Sequence, residues 1–482
     1  MTIKQRLGVV AALVAMGLLI WAVAEDAAMA AVVAFAVVVS VGLFLMPKAA
    51  LGAIGVFLLV QPLLVNLAGS VTTTLGATLH RLHEVFAVAA AARVGLMMSW
   101  DRVSTAMRPW IWLTGAFAVL GVVSGIVQQV PALTLARGGF VAVTFALYLL
   151  LAMTVSWSDR DCARIMRMAL WAGPLLVVSG MVIWMMPTTV QDLFVDHTME
   201  TEDFGRAQFA AMQGIFSHPA VFGWAAAVTG CYAVAALLVG RRGWGALAGG
   251  SLAASVVGVL ASLRRKPLVA LPVVVVYSIV RFGHGWRRWV VLTLFALIAV
   301  AAARVAAARL EAEYQDAAVY VDPFAPLAPR VLLYVTGTEI ANADFPLGAG
   351  FGRFGSYASI ADYSPLYDEY GLSRVYGLSQ EYPYYIEDTY WPHLAAETGW
   401  FGAVILFAFY VFLLWQAARA VGRAPEPATR AVAIAACLAL LEGLLESGAG
   451  PVFEEALFAF AVAIPLGITL TRALVPDPAR TA

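Results

Sequence analysis

The dominant pattern along this chain is a succession of apolar blocks separated by short polar turns. A helix that spans a bilayer needs roughly 20 mostly apolar residues. Blocks of about that length centre near residues 16, 38, 58, 90, 119, 146, 178, 229, 253, 273, 297, 408, 437 and 461. Backbone polar groups have no water to bond in a hydrocarbon core, so the blocks read as helices rather than open strands. The blocks near 90 and 273 are the thinnest, which gives an expectation of about 12–14 spans. Lys4 and Arg6 precede an apolar run from Leu7 to Ala24, and Ala28-Met29-Ala30 has the look of a signal-peptidase site. A second long apolar run follows at once, so the first block reads as a retained helix.

Composition agrees with the pattern. Of 482 residues, 62% are hydrophobic and 12% charged, with mean hydropathy +0.84, whereas soluble domains run at about 25% charged. Thirty basic and thirty acidic residues cancel, so net charge selects no anionic partner and nucleic acid is not expected. Cys162, Cys231 and Cys437 are too few and too scattered for a disulfide framework or a metal site. Their surroundings give each a structural reading.

Where the charges sit carries more information. Basic loops stay on the cytoplasmic side. With the N-terminus inside, Asp101–Arg108, Ser158–Arg167, Arg241-Arg242, Arg281–Arg288 and Ala417–Arg430 fall inside, as does the C-terminal tail with Arg472 and Arg480. Glu25-Asp26, Gln191–Asp203, Arg309–Glu397 and the Glu446–Glu455 turn fall outside. The chain therefore divides into N-terminal helices (1–190), central helices with arginine motifs (191–308), a large outside loop (309–397) and C-terminal helices (398–482). Ser262-Leu-Arg-Arg-Lys266 opposes the charge rule, because its three cations fall outside. Either the helix count is off by one nearby, or an anion site there outweighs the topological cost, since fixed cations near apolar walls bind phosphate strongly.

Four clusters on that outer face carry candidate chemistry. The first is Gly214-Ile-Phe-Ser-His218-Pro219 with Arg206 upstream. Pro219 suits a first helical turn, and His218 suits a helix cap or a ligand contact. The second is Arg264-Arg265-Lys266. The third is Arg330, on an amphipathic helix expected over 330–343, with the glycine-rich Pro346–Gly355 run and Arg353. No strand–helix unit surrounds those glycines, so a nucleotide loop is rejected. A tight turn that lays the loop on the membrane is the expectation. The fourth is Glu387-Asp388-Thr-Tyr390-Trp391-Pro-His393-Leu-Ala-Ala-Glu397-Thr-Gly399. Carboxylates and an imidazole at a helix mouth can serve as a general base. Between the last two clusters, tyrosines crowd residues 357–390, a composition suited to the membrane interface or to stacking on sugar rings.

In this order and on one face, the clusters resemble the superfamily of O-antigen ligases and Wzy-type polysaccharide polymerases. Arg206 with Gly214–Pro219, Ser262–Lys266, Arg330, Pro346–Gly352 and Glu397-Thr398-Gly399 are similar to that family's motifs over residues 200–420, with Arg206 further upstream than usual. The family's histidine falls in register with Asp388, and His393 is out of register. The resemblance implies an all-α, polytopic membrane helix bundle with a long periplasmic loop domain in the bacterial inner membrane. It implies a metal-independent, inverting glycosyltransferase without cofactors. The donor would be an oligosaccharide on undecaprenyl diphosphate, with membrane lipids and a chain-length regulator as further partners. By the same resemblance, Arg264, Arg265, Lys266 and Arg206 would hold the diphosphate, with Arg265 catalytic. Asp388 or else His393 would be the base. His218, Arg330, Arg353 and Glu397 would contact substrate. A polymerase and a ligase to lipid A core share this donor chemistry. A lipid-linked glycan flippase is the reading from another class, for which Glu84, Glu442 and Glu446 are the intramembrane acids to consider.

Overall fold

The computed structural model describes residues 27–70, 72–97, 108–186, 201–204, 207–216, 218–283, 329–424 and 426–474, with scattered positions between 285 and 296. The apolar blocks near 16 and 297 and the candidate Arg206 lie outside the described residues. The protein is an all-α, polytopic helix bundle. Its helices are α1 (Ala27–Leu45), α2 (Pro47–Gly69), α3 (Thr73–Met97), α4 (Arg108–Val127), α5 (Ala132–Met153), α6 (Asp159–Met185), α7 (Pro219–Val239), α8 (Gly245–Ala261) and α9 (Arg265–Phe282). The loop domain then supplies α10 (Pro329–Ala343), α11 (Tyr357–Ala361) and α12 (Leu366–Glu369), and the chain closes with α13 (Trp391–Arg423), α14 (Pro427–Glu446) and α15 (Ala456–Leu474). A small hairpin, β1 (Thr201–Phe204) and β2 (Ala207–Ala210), pairs antiparallel with Thr201 opposite Ala210.

Among the described residues, eight helices are long and apolar enough to cross a membrane, namely α1, α2, α4, α5, α6, α7, α13 and α14. Helices α8 and α15 are apolar but shorter. The two thin blocks form α3 and α9, whose polar content keeps them out of the first group. The chain is a multi-pass membrane protein. Helices α7 and α14 are its hub, each with 78% of its apolar window buried inside the protein. Small residues permit this close approach, as they do where packing rather than water drives helix association. A Cβ on Gly230 of α7 would meet Leu271 at 3.1 Å and Ser255 at 3.3 Å.

Contacts between distant segments sort the turns onto two ends. Lys48 meets Asp161 at 2.6 Å, Arg241 meets Asp159 at 3.4 Å, Asp159 accepts from the Thr429 backbone at 2.9 Å, and Arg472 pairs with Glu426. Apart from the turn at Lys48, these are loops assigned together from their arginines. The opposite end gathers His218, Lys266, the start of α13 and the α14–α15 turn under the loop domain. The turn at 262–266 is therefore on the loop-domain end, as the helix count from sequence required.

Helix α13 breaks near its start. Gly399 has φ 70° and ψ 174°, which leaves carbonyls upstream without helical partners. The glycine-rich loop takes them: Ala349 N–H donates to the Ala396 carbonyl at 2.8 Å and Gly350 N–H to that of Glu397 at 2.9 Å. The loop is a buried plug between α4, α5 and α13. Gly348 N–H donates to Ser124 Oγ at 2.7 Å, and a Cβ on Gly138 would lie 2.3 Å from Gly352 N. This corrects the expectation of a loop lying on the membrane. The reason is that its glycines are needed for backbone-to-backbone approach.

Candidate functional site

The candidate site forms where five segments meet. Arg330 opens α10 and reaches the last residues before α13: its Nη2 lies 2.6 Å from Asp388 Oδ2, and its Nε donates to the Asp388 carbonyl at 3.2 Å. Both side chains keep about two-fifths of their surface open, 42% and 37%. Lys266 sits in the first turn of α9, in the electrostatic field of Arg330, Glu446, Asp388 and Arg264. Its Nζ lies 6.0 Å from the centre of the Trp224 ring, and Trp224 Nε1 donates to Glu446 Oε2 at 2.9 Å. His218 caps α7, its Nδ1 accepting the Ala220 N–H at 3.1 Å. Burial holds its imidazole below the usual histidine range, Asp388 acts against that and Lys266 with it. The capping reading of His218 is observed, and the cap holds its ring in the field of Asp388 and Lys266.

The turn before α9 is built to present its cations. Leu263 has φ +54°, an uncommon conformation for a bulky residue. Buried Ser262 holds it by donating to the Val259 carbonyl at 2.7 Å and accepting Arg264 N–H at 3.3 Å. Of the three cations, Arg264 and Lys266 are partly buried and Arg265 is exposed. The geometry therefore singles out Lys266, with Arg264 beside it, ahead of Arg265.

His393 belongs to a different, enclosed group. Its side chain is 1% exposed, with Nε2 3.0 Å from Glu454 Oε1 and Nδ1 3.9 Å from Glu397 Oε2. Glu397 in turn accepts from Phe354 N at 3.0 Å and Ser356 Oγ at 2.9 Å. It locks the plug to α13, which is a positioning role rather than a substrate contact. Arg353 projects from the same plug with its Nε buried and without a hydrogen-bond partner, and no described contact joins it to Arg330 or Lys266. Beside Asp388, the carboxyl of Glu387 is pushed up to about 7 by burial and then by Glu454 and Glu455, with His393 opposing. Burial also raises Glu455.

An apolar groove of about 570 Å³ runs between α2, α6, α7 and α15. Gly55, Leu176, Val228, Phe460 and Ile464 lie along its walls, with Lys48, Asp161 and Arg164 at one mouth and Trp224 and Glu455 at the other. Trp224 is thus shared: one part of it lines the groove and its ring carries Lys266.

Trp224 and Glu454 were not legible as site residues, because each acts through a partner on another element, Lys266 and His393, more than 40 residues away in sequence. The one cue for Trp224 is the Gly214–Pro219 cluster a turn and a half before it. Among the described residues, no group of three or more His, Cys, Asp or Glu is placed to hold a metal ion. Protein-family models and curated proteins offer no match to the chain.

Proposed function

We propose that this protein is a polysaccharide polymerase of the Wzy-like kind, a glycosyltransferase of the superfamily that its motifs resemble. It joins repeat units of O-antigen or exopolysaccharide carried on undecaprenyl diphosphate. The reading places it in a bacterial inner membrane, with both termini cytoplasmic and the site periplasmic. The observation that carries the proposal is the junction at Trp224. An apolar groove suited to a lipid tail ends on the residue that seats Lys266, and Arg264, Arg330 and Asp388 lie next to it. A lipid diphosphate has this order of chemistry: a long apolar chain, then concentrated negative charge.

On this reading Lys266 and Arg264 stabilise charge as it develops on the departing diphosphate. Asp388, the accessible one of the two base candidates, takes the proton of an acceptor sugar hydroxyl. The hydroxyl oxygen bonds to the anomeric carbon, the bond from that carbon to the diphosphate oxygen breaks, and the lipid diphosphate leaves with the bonding pair. Ligation to lipid A core would use the same step with another acceptor.

Complementation of a deletion strain tests this, with glycan resolved by length and protein level followed by blot. Wild type restores long polymer, and Asp388→Asn leaves single repeat units at normal expression. Transfer of preformed chains to lipid A core by wild type would make it a ligase. Full polymer from Asp388→Asn would remove Asp388 from the chemistry. A flippase reading draws on the groove having polar residues at both mouths. Movement of lipid-linked glycan across liposomes, without a change in glycan length, would establish that reading instead.

A further inference from the structure

The loop domain carries a second feature that the transfer site does not use. Tyr376, Tyr382 and Tyr384 expose 66%, 41% and 62% of their surface, yet their rings meet one another. Ring centres lie 5.8 Å apart for Tyr376 and Tyr382, 6.2 Å for Tyr376 and Tyr384, and 6.1 Å for Tyr382 and Tyr384. We propose that these three tyrosines form a stacking platform for the pyranose rings of a glycan chain.

The platform is fixed from beneath. Leu372, Leu378 and Ile386, which bracket it in sequence, are buried in the core of the loop domain. Tyr363 Oη donates to the Leu378 carbonyl at 2.8 Å, and Tyr385 N–H to that of Gly377 at 2.8 Å. Gly377 has φ +86°, and the space a Cβ would take is filled by the Tyr385 ring at 2.1 Å. Rings held this way lose little conformational freedom when a ligand arrives.

The surroundings select a glycan over a bilayer. Between residues 346 and 390 every exposed large hydrophobic side chain is a tyrosine. Exposed Arg374, Gln380 and Glu381 are interleaved with them. A face that sinks into lipid carries aliphatic side chains beside its aromatics, as the exposed valines, leucines and tryptophans of α4 and α6 do here. Aromatic faces beside hydrogen-bonding side chains match a sugar, whose C–H face stacks while its hydroxyls bond. The platform also leads into the site. Four residues carry the chain from Tyr384 to Asp388, a reach of at most roughly 14 Å, so a short oligosaccharide can touch both. Assigning the bound glycan to chain elongation rests on the transfer reading above.

The test uses the full chain in nanodiscs and, as probe, oligosaccharide released by mild acid from the lipid-linked glycan of the host. Calorimetry on Tyr376→Ala/Tyr382→Ala should show binding weaker by about tenfold, with the matching Phe pair close to wild type. In the complementation strain the Ala pair should shorten the polymer without loss of the first transfer. Wild-type binding and polymer length in the Ala pair would overturn the platform. So would a nitroxide at Tyr382→Cys that oxygen relaxes more than a water-soluble nickel chelate does, since that is the signature of a lipid-embedded site. If wild type binds the oligosaccharide yet makes no polymer, the platform stands and the transfer reading falls.

Discussion

The two ends of this bundle use the same kinds of charged residue to opposite effect. At one end the charges pair off near helix termini: Lys48 with Asp161, Arg241 with Asp159, Arg472 with Glu426. Asp161 also completes a capping box with Ser158 at the start of α6. At the other end Lys266, Arg330, Asp388, His218 and Glu446 come from five separate segments onto one small region beside an apolar groove. Pairing secures helix ends locally. Convergence has no such local use, and its cost is sustained by the loop domain and the plug that hold the segments in place. The difference is what marks the second end as the candidate site.

The largest expected effect follows from breaking the convergent end. On the transfer reading, Lys266→Ala, which removes the cation over Trp224, should lower polymer output by about 100- to 1000-fold, the scale of losing one preorganised charge-stabilising group. Output within a few-fold of wild type, at equal protein level, would show that Lys266 does not meet the reacting charge. Next in size is the plug. Gly138→Val would place a side chain on the Gly352 backbone, where even a Cβ would stand only 2.3 Å from Gly352 N. Overpacking of this kind costs roughly 1–3 kcal/mol. The variant should lose thermal stability in detergent and free the loop for proteolysis near residue 352. An unchanged melting temperature would mean that the plug is not packed as described.

A smaller effect depends on pH. The Glu387 carboxyl rests at about 7 in the fold against an ordinary 4.5. Below 4.5 it is protonated whether the chain is folded or not, so it contributes nothing there. Between 4.5 and 7 the unfolded chain releases this proton while the folded chain keeps it, so stability falls as pH rises, and above 7 the loss is complete. Glu387→Gln should match wild type near pH 4 and exceed it above pH 7, by about 1–2 kcal/mol after allowance for partial exposure. A constant difference across that range, read from melting temperatures at several pH values, would show that Glu387 does not carry the raised proton.

What the sequence disclosed and what it withheld separate along physical lines. Spans were legible because a bilayer demands length and apolarity from each segment on its own. The end on which 262–266 lies followed from the count of spans alone, since its three cations oppose the charge rule. The role of the Pro346–Gly355 run was hidden, because its glycines answer to Gly138 and Gly125 more than 200 residues away. Three consecutive cations gave no clue to which one faces inward, since the strained turn at Leu263 sets that angle. Asp388 stood ahead of His393 as a base only by register with the resembled motif, and burial was not legible: the fold encloses His393 between Glu454 and Glu397 and leaves Asp388 37% exposed.

The smallest expected effect is also the sharpest control on the comparison. Lys48 is 41% exposed, and its partner Asp161 keeps other bonds when the lysine goes: Ser158 Oγ at 2.6 Å and Ser158 N at 2.9 Å. An exposed pair is worth about 0–1 kcal/mol, so Lys48→Ala should barely move the melting temperature, and less so in high salt. Polymer output should stay at the wild-type level. Lys48 nonetheless stands at the far mouth of the groove from Trp224. If Lys48→Ala reduced output as strongly as Lys266→Ala, both mouths would be in use. The groove would then be a passage for the lipid carrier rather than a seat for its tail, and the flippase reading would replace the transferase.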